Sequence, residues 1–532
     1  MVRWHRFLTF VCLLLGVCWL LAPPLQAQAG FQCSASTTGV AVRAEGLAEL
    51  VGDLILTCTG GVAGQSLTMS VHVYANANIT SRILNPPDGT EALLLIGNPP
   101  YGPASVVQGV MRGPRTLVFS PVRVSLPGTG TLTLKIVNVR VNATQVALAS
   151  HVMLSVVATA ETSIPIVNPI QQVAVSQTGM TMQVRKPDDS ASDVPSLLNC
   201  TGHNTTLLAG GDYPAPPASG GRTFNLKFIE GFSSAFRPPA GEQGTVIDTL
   251  PPPLNRAGLA DHGTRLRAVF TNVPRDVAIF VTVRQVLQGT STGITAECIT
   301  TAGGPGSPCP VHSSADGGMY RVPLTGVPGT GEVYWEIKSS SAAVLETISF
   351  GVAVAYNPGP PAGMGNVLGT FSPISTAGEA TTGPNDLPRF IATASPVPGF
   401  TIEVCRSVLL FHFVTSIPGW DTGIAVTNTT RDSPLFNTAG QSGKCTAYFY
   451  HSVPTTTVPP LESPVIPAGG QWLWTVHSVR PNFQGYMLVS CEFQHAYGFA
   501  FISDLGFSGP DRFAQAYQAV LLDGRTRMPI PQ

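Results

Sequence analysis

Charge is scarce in this sequence of 532 residues, and the scarcity excludes whole classes of partner. Asp, Glu, Lys and Arg together make up 11% of the chain, against about 25% in an ordinary soluble domain. The net charge at pH 7 is −1, and the sequence has no basic stripe and no acidic tail. Nucleic acid and anionic membranes bind through clusters of Lys and Arg. We therefore expect no nucleic-acid partner and no binding to a charged membrane surface.

Long apolar runs are also absent after the first residues of the chain. The run from Phe7 to Leu21 is shorter than the ~20 residues that span a bilayer. It follows the basic residues Arg3 and Arg6 and precedes Ala27-Gln28-Ala29, a small-x-small pattern that signal peptidase accepts. We predict a signal peptide over residues 1–29 and export through the Sec pathway, to the extracellular space or the cell surface. The mature chain is then not membrane-spanning; the alternative is a membrane anchor.

Zinc-ribbon and thiol-redox motifs are missing too, because no two cysteines are spaced as CxxC. Eight cysteines remain once the predicted signal peptide, with Cys12 and Cys18, has been removed. An even number of cysteines in an exported chain indicates disulfides. Proximity in the sequence favours three bridges, and elimination leaves a fourth: Cys33–Cys58, Cys298–Cys309, Cys445–Cys491 and finally Cys200–Cys405.

Strand signals dominate what the sequence does contain. Gly and Pro occupy about a fifth of the chain, and Val, Thr, Ile and Leu fill much of the rest. That mixture is typical of short strands joined by tight turns. Between Leu67 and Tyr74 apolar and polar residues alternate, which places four residues on one buried face: Leu67, Met69, Val71 and Val73.

We predict an all-β fold of three tandem β-sandwich (immunoglobulin-like) domains in series, stabilised by disulfides. The first sandwich spans residues 30–185 and is followed by a polar linker over 186–195. The second spans 196–395 and carries a long loop insertion, and the third spans 396–532. Six predicted strands in the last region suit a sandwich or a small barrel. Only the segment from Arg512 to Leu522 has the composition of a helix.

Two stretches of the sequence resemble a known family. One is CSASTTGVAVRAEGLAELVGDLILTCTGG, followed by NITSRIL. The other combines FHFVTSIPGWDTGIAVTNTT with QSGKCTAYFY and NFQGYMLVSCEFQHAYGFAFISDLG. They are similar to secreted multi-domain β-proteins of environmental bacteria, which have a cysteine-flanked N-terminal module and a C-terminal module of this pattern. FNLKFIEGFSSAFRPP and RLRAVFTNVP in the middle fit more loosely. The resemblance implies export and modularity, and it carries over no catalytic residue.

The tripeptide Asp421-Thr422-Gly423 matches the one that carries the catalytic carboxylate of aspartic proteases. Such a protease needs two carboxylates that share a proton, so two of these loops must meet. The sequence contains no second Asp-Thr-Gly or Asp-Ser-Gly, and Gly419-Trp420 stands where an apolar pair usually precedes the Asp. We predict instead a turn at Pro418 and Gly419, in which Asp421 accepts amide hydrogens and Gly423 opens a strand.

Three further patterns have a catalytic or metal-binding interpretation and a structural one. Gly289-Thr290-Ser291-Thr292-Gly293 matches the nucleophile elbow of serine hydrolases, but no strand-to-helix pattern surrounds it. The carboxylates near residue 190 lack the spacing of an EF-hand loop, so a solvated linker is expected for Asp188, Asp189 and Asp193. The histidines of the third region lack HxH and HExxH spacing, so no metal site is expected at His412, His451, His477 and His495.

Trp472 and Trp474 are the one feature that points to a class of ligand. They share a face of a predicted strand with Val476. Exposed, the two indoles would form a platform for sugar rings, because aromatic faces stack on apolar surfaces. Buried, they belong to the core, which the continuation of the face by Val476 favours.

The sequence as a whole favours a non-enzymatic, exported surface, adhesion or matrix protein that needs no cofactor and no metal. Its expected partner is a cell-surface protein or a polysaccharide. One alternative is a polysaccharide-binding protein that uses the aromatic platform at Trp472 and Trp474. Another is a secreted hydrolase, which would require a second carboxylate beside Asp421.

Overall fold

The alternating segments form β-strands along most of the chain, and single turns are the only helices among the residues described. The structure is a computed structural model that describes residues 30–191, 193–213, 221–286, 293–383, 387–431, 435, 440–455, 457–504 and 513–522. The predicted signal peptide lies outside these ranges, and so do residues 289–292 of the segment that matches a nucleophile elbow. Within them the chain is all-β, and its strands group into three sandwiches in series.

The first sandwich consists of one long sheet that folds over on itself and a small two-stranded ladder. Its strands are β1 (Gln32–Thr37), β2 (Val40–Arg43), β3 (Glu49–Leu50), β4 (Leu54–Gly60), β5 (Ser66–Ala75), β6 (Ile83–Asn85), β7 (Gly89–Ile96), β8 (Val106–Gly113), β9 (Thr116–Ser125), β10 (Gly128–Val137), β11 (Arg140–Val141), β12 (His151–Thr159), β13 (Ser163–Ile164), β14 (Ile166–Val167) and β15 (Ile170–Gln177). The long sheet has the order β14-β1-β4-β10-β7-β8-β9-β5-β12-β15-β2, with β6 on β7 and β13 on β12, and β3 pairs with β11. Leu56 and Val156 are far apart in this order and still share one core.

The second sandwich packs two sheets face to face. Its strands are β16 (Met180–Arg185), β17 (Ser196–Leu198), β18 (Phe224–Glu230), β19 (Arg265–Val273), β20 (Ala278–Thr282), β21 (Thr295–Ile299), β22 (Met319–Arg321), β23 (Gly329–Ser339), β24 (Thr347–Ala355), β25 (Gly363–Ser372) and β26 (Val397–Glu403). The sheet orders are β16-β18-β24-β20-β22 and β17-β26-β25-β19-β23-β21. Trp335 and Phe350 stack between the sheets with ring centroids 4.1 Å apart. The buried indole N–H of Trp335 donates to the Thr282 carbonyl at 2.9 Å, so its polar group is satisfied.

The third sandwich follows the same plan on a smaller scale. Its strands are β27 (Ser407–Thr415), β28 (Asp421–Asn428), β29 (Cys445–His451), β30 (Leu461–Glu462), β31 (Gln471–Thr475), β32 (Gln484–Cys491), β33 (Ala496–Ser503), β34 (Ala514–Gln518) and β35 (Val520–Leu522). One sheet has the order β30-β29-β32-β27-β35 and the other β31-β28-β33-β34. Phe411 and Met487 from the first sheet meet Val426 and Ala500 from the second in the core.

The helix predicted from Arg512 to Leu522 is wrong over the residues described. Here β34 pairs with β33, and β35 crosses to β27 in the other sheet. The ring of Tyr517 packs on His412 with centroids 4.2 Å apart, and its hydroxyl donates to the Phe413 carbonyl. Pairing and burial thus override the helical preference of a short Ala- and Gln-containing segment.

Helical structure is limited to single turns within the described ranges. No helix there is long and apolar enough to cross a membrane. The α-helical turns are α1 (Thr205–Leu208), α2 (Pro239–Glu242) and α3 (Val476–Val479), and 3₁₀ turns occur at Pro103–Ser105, Ala143–Gln145, Leu254–Arg256 and Ala315–Gly317.

Four disulfides link the predicted pairs. Three are the pairs that spacing favours, Cys33–Cys58, Cys298–Cys309 and Cys445–Cys491, and the fourth is the pair left by elimination, Cys200–Cys405. Cys33 and Cys58 face each other across β1 and β4, and Cys445 and Cys491 do so across β29 and β32. The bridge at Cys405 has a different position, because it lies in the short connection between β26 and β27. It therefore fixes the junction of the second and third sandwiches to the start of the second.

Strand pairing displaces both predicted boundaries of the second sandwich. β16 pairs with β18, and β26 pairs with β25, so this sandwich includes Met180–Arg185 and Val397–Glu403. The described residues of the polar segment 186–195 therefore belong to a connection between β16 and β17 of one sandwich, where Lys227 binds Asp189 at 2.6 Å. A polar segment without hydrophobic periodicity is exposed both in a surface loop and in a linker between domains. Its composition therefore does not distinguish the two.

The loop insertion of the second sandwich packs against the first sandwich. Its segment after β18 covers outward-facing residues of the first sandwich's long sheet. Ile247 and Leu250 from the insertion form one buried cluster with Leu93, Leu95 and Val137. A buried apolar cluster therefore joins the first two sandwiches, in addition to the polypeptide chain that connects them.

Candidate functional site

Asp421 is the first residue of β28 and has a structural role. The chain turns just before it, where Gly419 has φ of +86° and the Trp420 amide donates to the Ile417 carbonyl at 2.9 Å. The buried Asp421 carboxylate accepts the backbone amides of Thr422 and His477, each at 2.8 Å. Neither partner is the second carboxyl that protease chemistry requires. The side chain instead ties β28 to the first turn of α3.

The indole pair is not a platform at the surface. Trp472 is 9% exposed and belongs to the core of the third sandwich, and the half-buried Trp474 packs against the same core. Their ring centroids are 5.4 Å apart with planes inclined by 40°, and Phe449 packs edge-on to Trp474 at 5.8 Å. The ligand interpretation of these two residues therefore loses its basis, and the core interpretation describes them.

The carboxylates near residue 190 serve separate partners. The Ser190 hydroxyl and amide donate to Asp188 at 2.6 and 3.0 Å, and these hydrogen bonds lower the pKa of Asp188. Asp189 binds Lys227, and Asp193 lies 3.5 Å from Lys186. In the part of the chain that the structure describes, no group of three His, Cys, Asp or Glu side chains is placed to hold a metal ion.

The outer surface of the sheet β31-β28-β33-β34 carries an aromatic ladder. Tyr497, Phe499 and Phe501 alternate along β33 and point outward, and Leu473 does so on β31; the four are between 44% and 65% exposed. We call this surface the aromatic face. Its rows pair Thr475-Gly423-Phe501-Ala516, Leu473-Ala425-Phe499-Gln518 and Gln471-Thr427-Tyr497. None of these residues is charged, and a groove of about 410 Å³ runs between Leu473 and the phenyl rings.

Small residues on the inner side of β33 explain why its aromatic residues face outward. Gly498 and Ala500 are buried, and a Cβ added at Gly498 would lie 2.6 Å from the ring of Phe411 and 2.9 Å from the Cβ of Ala519. Phe411, supplied by the opposite sheet, already fills that part of the core. A bulky residue therefore has no room inside, and the large residues of β33 are left in solvent.

A second feature lies on the outer surface of the other sheet of the third sandwich. Tyr448 and Tyr450 point outward from β29, and Tyr486 stands directly opposite Tyr450 on β32. The rings of Tyr450 and Tyr486 stack with centroids 4.7 Å apart and planes inclined by 9°. With His451 they line a cleft of about 520 Å³, which we call the tyrosine cleft. Its other wall is the loop after β29, with Pro454, Thr457 and Val458.

Charged residues concentrate in a different place, between the first two sandwiches. The Arg43 guanidinium binds both oxygens of Glu242 at 2.7 and 3.0 Å and lies 2.7 Å from Glu49. All three side chains are almost wholly buried, and Thr264 donates its hydroxyl to Glu242 at 2.7 Å. Arg140 donates to the Glu242 carbonyl at 2.8 Å. Glu242 ends α2 in the insertion, so these ion pairs join the two sandwiches.

The partners in this network set one another's ionisation. Burial alone would raise the pKa of Glu242, but the guanidinium groups of Arg43 and Arg237 outweigh it and lower the pKa to about 2. Burial alone would lower the pKa of Arg43, and the carboxylates of Glu242 and Glu49 instead keep it above its usual value. Both partners therefore remain charged at neutral pH, as a buried pair must to be stable.

Comparison with known proteins gives weak likenesses only. No family model and no curated protein matches the sequence. Among solved structures, one titled BspA_C_mut is 8% identical, covers 70% of this chain and 98% of its own, and has a TM-score of 0.25. The partial N-terminal region of the enterococcal surface protein is 7% identical, with coverages of 72% and 97% and a TM-score of 0.18. A variant of BcpA, the major pilin subunit of Bacillus cereus, is 9% identical, with coverages of 86% and 97% and a TM-score of 0.20. The fold assignment therefore rests on the strand pairing described above.

Sequence reasoning missed the aromatic face, the tyrosine cleft and the ion network. Signals were present for the first two. Tyr-Gly-Phe-Ala-Phe at 497–501 places aromatic residues at every second position, and Tyr-Phe-Tyr at 448–450 is a run of three aromatic residues, which a strand must divide between its two faces. For the network, the only local signal was the charge cluster Arg43, Glu45 and Glu49 in a chain that has few charges.

Proposed function

We propose that this chain is an exported, non-enzymatic surface or adhesion protein of the secreted type that its sequence resembles. In this proposal the first two sandwiches form a base, because buried ion pairs and shared apolar core join them. The third sandwich makes the contact with the partner.

The observation that carries the proposal is the aromatic face. Exposed apolar patches on soluble proteins mark interaction sites, since exposing them to water is unfavourable. Tyr497, Phe499, Phe501 and Leu473 lie together on one sheet with no charged residue among their neighbours across the strands. A surface of this kind favours an uncharged polymer on a cell surface as its partner, and it would bind with little dependence on salt.

The engagement of Asp421 supports the non-enzymatic part of the proposal. Its carboxylate is occupied by two backbone amides. Both bonds are accepted at Oδ1 and hold α3 against β28, and no carboxyl group is among the partners of Asp421 in the residues described.

Fractionation of the native cells tests the location. We expect the protein in the cell-surface or culture-medium fraction, with residue 30 as its N-terminus. Recovery in the cytoplasm with the first 29 residues attached would contradict the proposal.

An adhesion assay tests the contact surface. Beads coated with the purified chain should bind native cells, and the double variant Phe499→Ser, Phe501→Ser should reduce bead binding at least about fivefold, since each serine removes apolar contact area. The matched control is Tyr74→Ser, which removes an equally exposed aromatic residue from the first sandwich. Raising the salt concentration should leave the binding unchanged. Equal loss in the control, or loss of binding in salt, would argue against the aromatic face.

Polysaccharide binding is the second candidate function. It no longer rests on Trp472 and Trp474, because these indoles pack in the core. Other aromatic rings of the third sandwich are exposed, in the aromatic face and in the tyrosine cleft. The cleft combines its rings with several polar side-chain atoms.

A further inference from the structure

We propose that the tyrosine cleft binds a chain of neutral sugars. The inference rests on the proposed function, since it names a ligand class for the third sandwich of an exported surface protein. The cleft lies on the sheet opposite the aromatic face, so the two surfaces can be tested separately. Its volume of about 520 Å³ lies within the roughly 300–1,000 Å³ of typical ligand sites.

The tyrosine rings provide the apolar part of the site. Tyr450 and Tyr486 are locked as a cross-strand stacked pair, which limits the entropy that ligand binding would cost. Tyr448 lies two residues before Tyr450 on the same face, ~6.8 Å along the strand. A polymer whose units have one apolar face can contact successive rings of this row.

The wall and floor of the cleft are held by close backbone contacts. Gly485 of β32 faces His451, and a Cβ at Gly485 would lie 2.0 Å from the Tyr450 carbonyl oxygen. Thr457 forms a bridge with Tyr450, which brings the loop back beside the strand. The rings therefore stand on a rigid two-stranded base.

The polar side chains of the cleft have hydrogen-bond donors and acceptors that can bind a ligand. The three tyrosine hydroxyls have no hydrogen-bond partner among the residues described. His451 accepts the Val453 amide at Nδ1 at 2.9 Å, so its Nε2 carries a hydrogen that it can donate. Thr457 adds a hydroxyl. The cleft thus offers donors and acceptors next to ring faces.

This combination fits a neutral sugar better than other ligands. A pyranose has an apolar C–H face that stacks on aromatic rings, and hydroxyls that both donate and accept. Among the residues that the structure describes, no Lys or Arg lines the cleft to bind an anionic polymer. A proline-rich peptide also binds aromatic grooves, but its carbonyl groups only accept hydrogen bonds.

Affinity gel electrophoresis of the full mature chain tests the inference. The probes are laminarin, glucomannan and dextran, with alginate as an anionic polymer and polyproline as a peptide. We expect at least one of the three neutral polysaccharides to retard the wild-type chain. Tyr450→Ala and Tyr486→Ala should each weaken binding about tenfold, and Tyr450→Phe, which keeps the ring, should weaken it less, by about two- to threefold.

Tyr74→Ala is the matched control, because it removes an exposed tyrosine from the first sandwich and should leave sugar affinity unchanged. Tyr448→Ala replaces Tyr486→Ala if that variant proves unfolded by circular dichroism. The inference is overturned if none of the neutral polysaccharides retards the wild type, if only alginate or polyproline does, or if the cleft variants bind like the control. If the protein is found at the cell surface but binds no sugar, the sugar-binding role of the tyrosine cleft is overturned and the proposed function stands.

Discussion

At the boundary between the first two sandwiches, Arg43, Glu49 and Glu242 are enclosed by protein, whereas on the third sandwich Phe499 and Phe501 face solvent. Charged and apolar side chains thus occupy opposite positions from the usual ones in these two regions. Burying a charge is costly unless it is paired, and exposing a phenyl ring to water is unfavourable unless a partner covers it. Each arrangement therefore indicates a contact: one already made inside the chain, and one available to another molecule.

The two contacts also differ in what directs them. Bidentate pairing of Arg43 with Glu242 fixes one orientation of the insertion on the first sandwich. An apolar sheet face has no such directionality, because burial of apolar area is roughly proportional to area alone. The boundary is therefore suited to a permanent attachment, and the aromatic face to partners of varied shape.

Of the substitutions that test this comparison, Arg43→Met should change the free energy of unfolding most. It leaves the carboxylates of Glu49 and Glu242 buried without their main cation, and we expect the free energy of unfolding to fall by about 3–5 kcal/mol. Urea denaturation measures the change. Arg112→Met is the control, because its ion pair with Asp88 is exposed and should be worth less than about 1 kcal/mol. Similar losses in both variants would mean that the buried network does not hold the boundary.

Glu242→Gln should have an intermediate effect on the free energy of unfolding, and this effect should depend on pH. The pKa of Glu242 is lowered in the folded state, so between about pH 4.5 and pH 2 the unfolded chain binds more protons and stability falls as the pH falls. Glutamine resembles the protonated acid, so the stability difference between wild type and variant should shrink across this window. Burial raises the pKa values of Glu45 and Glu230, but both residues are common to the two proteins and their contribution cancels.

Urea denaturation of both proteins at several pH values measures that difference. Above pH 5 the difference in free energy of unfolding between the two proteins includes the cost of leaving Arg43 with one carboxylate fewer. A difference that stays constant down to pH 2 would show that Glu242 is not held in its charged form by Arg43 and Arg237.

Phe499→Ser and Phe501→Ser should have the smallest effect on stability. Both side chains project outward from the sheet and are nearly half exposed, so each change should alter the free energy of unfolding by less than about 0.5 kcal/mol. Thermal unfolding followed by circular dichroism measures this, in the same preparations as the bead assay. A loss of several kcal/mol would mean that these rings are part of the folded core and not a surface for a partner.

The architecture could be predicted from sequence because local alternation marks most of the strands. Met69, Val71 and Val73 are buried on one face of β5, as their spacing predicts. The cysteine pairs could also be proposed, since three of them are close in sequence. The C-terminal helix was predicted wrongly because β34 and β35 form only through pairing with strands from both sheets, which composition does not reveal.

The surfaces and the ion network depend on contacts that a linear pattern does not contain. Alternation in Tyr497-Gly498-Phe499-Ala500-Phe501 does not say which set is inside, and hydrophobicity alone favours the wrong one. The outcome is decided by Phe411, a residue of the opposite sheet. Likewise Arg43 and Glu242 are separated by 199 residues, and nothing local to either identifies the other.

The bridge between Cys200 and Cys405 makes the attachment of the third sandwich independent of the continuity of the chain. The two cysteines enclose nearly the whole of the second sandwich, 205 residues apart in sequence. A protease that cuts one of the loops between them leaves the third sandwich covalently tethered to the N-terminal part of the molecule. In the extracellular setting that we propose, the third sandwich would stay attached after such a cut until a reductant opens that single bond.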